Sequence, residues 1–97
     1  MLVSKKENDL FNAILCIKTP SECKSFFYDL CTPSELEEFS RRWVIVRLLS
    51  KNKPYRQIAT ETGVSTTTVG RVARFMKYGN NGYNTILNRI KNNKKNS

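Results

Sequence analysis

Residues Tyr55–Arg74 read YRQIATETGVSTTTVGRVAR, and the spacing inside this stretch decides the fold. Ile58, Ala59 and Thr62 lie at helical spacing before Gly63. A glycine there can take the left-handed conformation that helix ends often need. Val64 follows as an apolar anchor, and Ser65 is a good N-cap for a second helix. Val69, Val72 and Ala73 give that helix an inward face. Ala59 is small where the two helices would cross. A glycine between two helices is weak evidence by itself. A small residue at 59, glycine at 63 and apolar residues at 58, 64, 69 and 72 together predict a helix-turn-helix. A plain helical hairpin with the same core pattern is the bland alternative.

In a helix-turn-helix the N-terminal residues of the second helix meet base edges in the DNA major groove. With 64, 69 and 72 inward, the outward set is Ser65, Thr66, Thr67, Gly70, Arg71 and Arg74, with Thr68 at the margin. Hydroxyls can bond base edges or phosphates, and a threonine methyl can meet a thymine methyl. Gly70 costs the helix up to about 1 kcal/mol relative to alanine, so a glycine on the outer face suggests close approach to the groove. Arg71 and Arg74 share a face. They can grip a guanine or a phosphate, and most such bonds go to the backbone. Tyr55, Arg56 and Gln57 open the first motif helix, where N–H groups and side chains can clamp a phosphate. Lys77, one turn past Arg74, completes the expected DNA-contacting set.

The charge is distributed to match. The 97-residue chain has a formal charge of +9. Residues 1–38 hold four Lys/Arg against seven Asp/Glu, whereas residues 39–97 hold thirteen against one, Glu61. A chain needing only solubility would mix the signs; this one gathers positive charge where the motif lies, as a polyanion binder does. No apolar run reaches the roughly 18 residues of a membrane span. The N-terminus is interrupted by Glu7, Asp9 and Asn12 and does not read as a signal peptide. Three cysteines, Cys16, Cys23 and Cys31, with no histidine anywhere, make a poor zinc set. They read as small buried or half-buried thiols of a reducing cytoplasm. The expected location is the bacterial cytoplasm, associated with the nucleoid. Without histidine the usual general base is missing, and no phosphate-binding loop or Cys/His cluster is present. The chain is read as no enzyme, with no metal and no cofactor.

In order along the chain, Ser4 and Glu7 have capping-box spacing and would open a helix carrying Leu10, Phe11, Ile14, Leu15 and Ile17. Thr19-Pro20-Ser21-Glu22 is a second start signal, leading to Phe26, Phe27 and Leu30. Thr32-Pro33-Ser34-Glu35 repeats those four residues and opens the longest helix, roughly 33–51. Leu36, Phe39, Trp43, Val46 and Leu49 form its stripe, widened by Val44, Ile45 and Leu48. So broad an apolar surface predicts burial on several sides, in the centre of the protein or shared with a second copy. Glu35, Glu37 and Glu38 suit the helix dipole and do not read as a metal site. Pro54 would start the first motif helix, Gly79-Asn80-Asn81-Gly82 is a turn, and a last helix carries Tyr83, Ile86, Leu87 and Ile90. The expectation is all-α: about six helices, no strand, one domain over 1–92, and a disordered basic tail over 93–97.

Two segments together resemble the Trp repressor superfamily. One runs Leu30-Cys31-Thr32-Pro33-Ser34-Glu35 into Arg41-Arg42-Trp43-Val44-Ile45-Val46-Arg47-Leu48-Leu49; the other is the motif at 55–74. The likeness covers about residues 10–91. It is nearest to the YerC/YecD-like branch, through Tyr55-Arg56-Gln57-Ile58-Ala59 and Gly63-Val64-Ser65. The resemblance implies an intertwined homodimer whose outer helices interlock, each subunit offering one reading head. It also implies a pocket in which tryptophan wedges beneath the head. Thr32, Arg42 and Arg71 resemble pocket residues, but Val72 stands where the ligand-binding protein has a glycine and Phe75 where it has a serine. Val72 and Phe75 are expected to occlude the vestigial pocket, so no tryptophan dependence and no small-molecule effector is expected. The function expected is a homodimeric, sequence-specific regulator of transcription on double-stranded DNA, a repressor. The alternatives are the DNA-targeting accessory of a transposase or recombinase, and a protein-interaction adaptor with a basic face.

Overall fold

The computed structural model describes residues 2–95. Six helices follow one another: α1 (Leu2–Leu15), α2 (Pro20–Leu30), α3 (Pro33–Ser50), α4 (Tyr55–Thr62), α5 (Thr66–Tyr78) and α6 (Gly82–Lys95). There is no strand among the described residues, and no described helix is long and apolar enough to cross a membrane. The chain divides into two compact units, Met1–Glu37 and Glu38–Ser97, with the boundary inside α3. The sequence suggested one domain. The division follows from where burial lies: no residue from 4 to 37 is buried.

In the first unit α1 begins at Leu2, so Ser4 is inside the helix and cannot be its N-cap. Once a turn has formed, adding a residue upstream is cheap, and propagation overrides a capping signal. The two Thr-Pro-Ser-Glu sequences close differently. Thr19 caps α2 by accepting the Glu22 N–H at 3.1 Å, but the Glu22 carboxylate reaches past it to the N–H of Lys18 at 3.0 Å. At α3 the box is reciprocal: Glu35 N–H donates to Thr32 Oγ1 at 3.2 Å, and Thr32 N–H donates to Glu35 Oε1 at 2.9 Å. Leu10, Phe11 and Leu15 of α1 stay exposed in the single chain, Leu15 by 80% and Phe11 by 52%, while Ile14 is half-buried.

The second unit holds the core. Ile45 and Val46 of α3, Ile58 of α4, and Val69 and Val72 of α5 are buried. Trp43, Leu48, Leu49, Ala59, Val64, Met76, Tyr83 and Leu87 pack around them. The Trp43 and Tyr83 rings lie 6.4 Å apart, joining α3 to α6. On α3 only part of the broad apolar surface is covered, since Phe39 and Val44 remain exposed.

The turns carry the chain between these helices. Asn52 (φ 60°) turns the chain out of α3, with the N–H groups of Lys51 and Lys53 bonded to Leu48 O. Pro54 is the N-cap of α4 rather than its first helical residue. Between α5 and α6 the left-handed residue is Asn81 (φ 65°), not either glycine of the turn. Asparagine tolerates this conformation better than most side chains. Asn84 Nδ2 donates to Met76 O at 2.9 Å and to Asn81 Oδ1 at 3.2 Å, fastening the start of α6 to the end of α5. α6 continues through Asn93, Lys94 and Lys95, where composition predicted a disordered tail. Positive charge near a helix C-terminus favours such continuation. The last two residues of the expected tail lie outside the described residues.

Candidate nucleic-acid interface

The α4–turn–α5 unit is built by local backbone chemistry. Gly63 takes φ 75° and its N–H closes on Ala59 O at 2.9 Å. Thr62 Oγ1 donates to Ile58 O at 2.6 Å, tightening the last turn of α4. Ser65 then starts α5: its Oγ accepts the Thr68 N–H at 3.1 Å and lies 3.1 Å from Thr68 Oγ1. Ile58 from α4 and Val69 from α5, both fully buried, pin the two helices together.

With Val69 and Val72 turned in, the rest of α5 is turned out. Ser65, Thr66, Thr67, Arg71, Arg74 and Lys77 are exposed, whereas Thr68 and Gly70 are half-buried. Ser65 and Thr68 are already engaged in the cap. Thr66 and Thr67 have no side-chain hydrogen bond among the described residues. Arg71 and Arg74 form no ion pair among the described residues, and neither does Arg56 at the start of α4. Lys77 Nζ sits 5.3 Å from the centre of the Tyr78 ring. Gln57 is less free than its position suggests, because its Nε2 donates to Glu61 Oε1 at 3.0 Å. The i,i+4 spacing of Gln57 and Glu61 was a readable signal for this bond.

Gly70 does not simply face outward. The nearest atom to a Cβ placed on it is Tyr55 Cε2, at 3.9 Å. The Tyr55 ring, itself 46% exposed, thus stands beside the middle of α5. Tyr55, Arg56, Ser65, Thr66, Thr67, Gly70, Arg71 and Arg74 therefore all belong to the one two-helix unit on the second half of the chain.

A cleft of about 470 Å³ is lined by Glu38, Arg42, Thr68, Arg71, Val72, Phe75 and Tyr83. Val72 and Phe75 both line it: Val72 is 6% exposed and belongs to the core, while Phe75 is 65% exposed. Helical spacing places Phe75 one turn beyond Val72, at the rim. Glu38, read from the sequence only as a carboxylate suited to the helix dipole, holds Arg42 Nη2 at 3.4 Å and Arg41 Nη1 at 3.9 Å. Thr32, the third pocket-like residue, lies in the first unit, where its hydroxyl caps α3. No group of His, Cys, Asp and Glu that could hold a metal occurs among the described residues. The three cysteines are free; Cys31 is half-buried as expected, but Cys16 and Cys23 are exposed, because the first unit buries no residue from 4 to 37 in the single chain.

The family model described as Trp repressor protein matches residues 5–91. The chain belongs to the Trp repressor family. Its relatives agree over nearly the whole length. The uncharacterized protein YerC of Bacillus subtilis (strain 168) is 43% identical over 90 residues, which is 93% of this chain and 86% of YerC. The crystal structure of a TrpR-like protein from Eubacterium eligens ATCC 27750 superposes with a TM-score of 0.84 at 38% identity, covering 90% of each chain. A candidate Trp repressor from Staphylococcus aureus superposes with a TM-score of 0.83 at 36% identity, covering 94% of this chain and 95% of the other. The all-helical fold and the helix-turn-helix are thus those of the Trp repressor family, a family of DNA-binding regulators rather than of enzymes.

Proposed function

We propose that this chain is a sequence-specific, double-stranded-DNA-binding repressor of transcription that acts as a homodimer in the bacterial cytoplasm, on the nucleoid. The observation that carries the reading is the outer face of α5. Thr66 and Thr67 stand at its exposed start with free hydroxyls, and Arg71 and Arg74 follow without an ion pair among the described residues. Cations left without carboxylate partners are available to phosphates and guanines. The N-terminus of α4, with Tyr55, Arg56 and Gln57, adds backbone N–H groups suited to a phosphate.

The dimer rests on the first unit and on α3. Leu10, Phe11, Leu15, Leu30, Phe39 and Val44 are all exposed in the single chain, large apolar side chains for a second copy to cover. A second copy covering them would supply the core that 97 residues lack alone. Two heads on a two-fold axis would then read half-sites about one helical turn, roughly 34 Å, apart.

Tryptophan is not the corepressor in this reading. Arg42 is already held by the carboxylate of Glu38 on the wall of the cleft. An incoming amino-acid carboxylate would have to displace that partner. The deciding experiment is selection of bound fragments from random duplex DNA, with sedimentation of the protein–DNA complex. Enrichment of a two-fold symmetric site bound by two chains supports the reading; no enrichment, with the chain folded, rejects it.

A further inference from the structure

Gly70 lies in the interior of α5, where glycine weakens a helix relative to alanine. The packing of the protein does not demand it. An added Cβ would meet only Tyr55 Cε2 at 3.9 Å, an ordinary van der Waals contact. What the missing side chain does is bare a surface. Helical side chains lean towards the N-terminus and cover the turn before their own Cα. The uncovered patch therefore lies beside Thr66 and Thr67, at the end of α5 that a helix-turn-helix offers to base edges.

One wall of the recess is apolar, the edge of the Tyr55 ring, and its floor is helical backbone whose polar groups are spent in the helix ladder. A polar base edge set against that ring and floor, rather than against the neighbouring threonine hydroxyls, would lose water without gaining a partner. A methyl group would gain by leaving water. In the major groove, thymine is the one ordinary base that presents a methyl. We infer that Gly70, walled by Tyr55, forms a recess that takes the 5-methyl group of a thymine and so sets one position of the recognised sequence. The inference rests on α5 being the DNA-reading helix.

The test replaces each thymine of a selected binding site in turn by uracil, which removes only the methyl. One thymine per half-site should lose about fourfold in affinity on this change, the effect of one buried methyl-sized group. Gly70→Ala fills the recess, and its thymine-to-uracil ratio at that position should fall to about one while its melting temperature stays at or above that of the unaltered protein. Tyr55→Ala removes the wall without adding bulk and should lower the same ratio, which keeps the test decisive if Gly70→Ala abolishes binding. Indifference of the unaltered protein to every replacement overturns the inference, as does an undiminished ratio in the variants. Failure to bind any duplex removes the DNA-reading role as well, and is distinguishable because no affinity then remains to compare.

Discussion

Thr32 and Glu35 hold each other across the start of α3, each donating its backbone N–H to the side chain of the other, at 2.9 and 3.2 Å. The bond from the Thr32 N–H, and then the Thr32 hydroxyl, keep the Glu35 carboxyl below the usual carboxylate range. A carboxyl lowered on folding contributes stability above its unfolded pKa and loses it as the pH falls through the folded value. Comparison with Glu35→Gln by denaturant melts should therefore show an advantage for the unaltered chain at neutral pH that shrinks on acidification below the usual carboxylate range. Thr32→Ala should cost about 1 kcal/mol at neutral pH. An advantage that grows with acid would contradict the assigned sign.

Two glycines of the helix-turn-helix should respond oppositely to alanine. Gly63 has open space around it but sits at φ 75°, so Gly63→Ala should destabilise by about 1–2 kcal/mol through backbone strain alone. Gly70 has ordinary helical geometry and room for a methyl, so Gly70→Ala should stabilise by up to about 1 kcal/mol. Thermal melts of the two variants measure both signs in one experiment.

Ile58 is fully buried between α4 and α5. Ile58→Ala should cost about 2–5 kcal/mol, the range for removing a buried aliphatic side chain. The loss should appear in chemical denaturation as a lower midpoint with an unchanged slope.

Arg71 and Arg74 are expected to grip DNA without supporting the fold. Replacing both by alanine should weaken duplex binding by at least about tenfold. The dependence of affinity on salt should flatten by about one counterion for each phosphate that an arginine no longer neutralises. Circular dichroism and sedimentation should be unaltered. Unchanged binding would assign the interface to another face.

Calorimetric titration with tryptophan should give no binding heat, because Glu38 already occupies Arg42 in the cleft. A saturable signal at micromolar tryptophan would refute this.

The helix-turn-helix was legible because each of its signals is local. The Gly63 and Ser65 caps are decided by backbone conformation within four residues, and Val69 and Val72 by helical period. What escaped depends on choices that local rules leave open. Glu22 had two backbone N–H groups within reach and took that of Lys18. Asn81, rather than a neighbouring glycine, took the left-handed turn, where Asn84 bonds its side chain. The exposure of Phe75 at the rim of the cleft also lay beyond the sequence, since a side chain's direction at a rim is not encoded by periodicity.

Val69 and Val72, two of the five residues buried among those described, lie on the same thirteen-residue helix as Thr66, Thr67, Arg71 and Arg74. On the proposed function, keel and reader are one object. That would limit how such a protein drifts to new targets: exchanges at the outer positions of α5 would alter preference while the fold stands, whereas exchanges at 69 or 72 would unsettle the fold before any preference was tried. The chain would then carry a small set of exchangeable letters on a fixed slug of type.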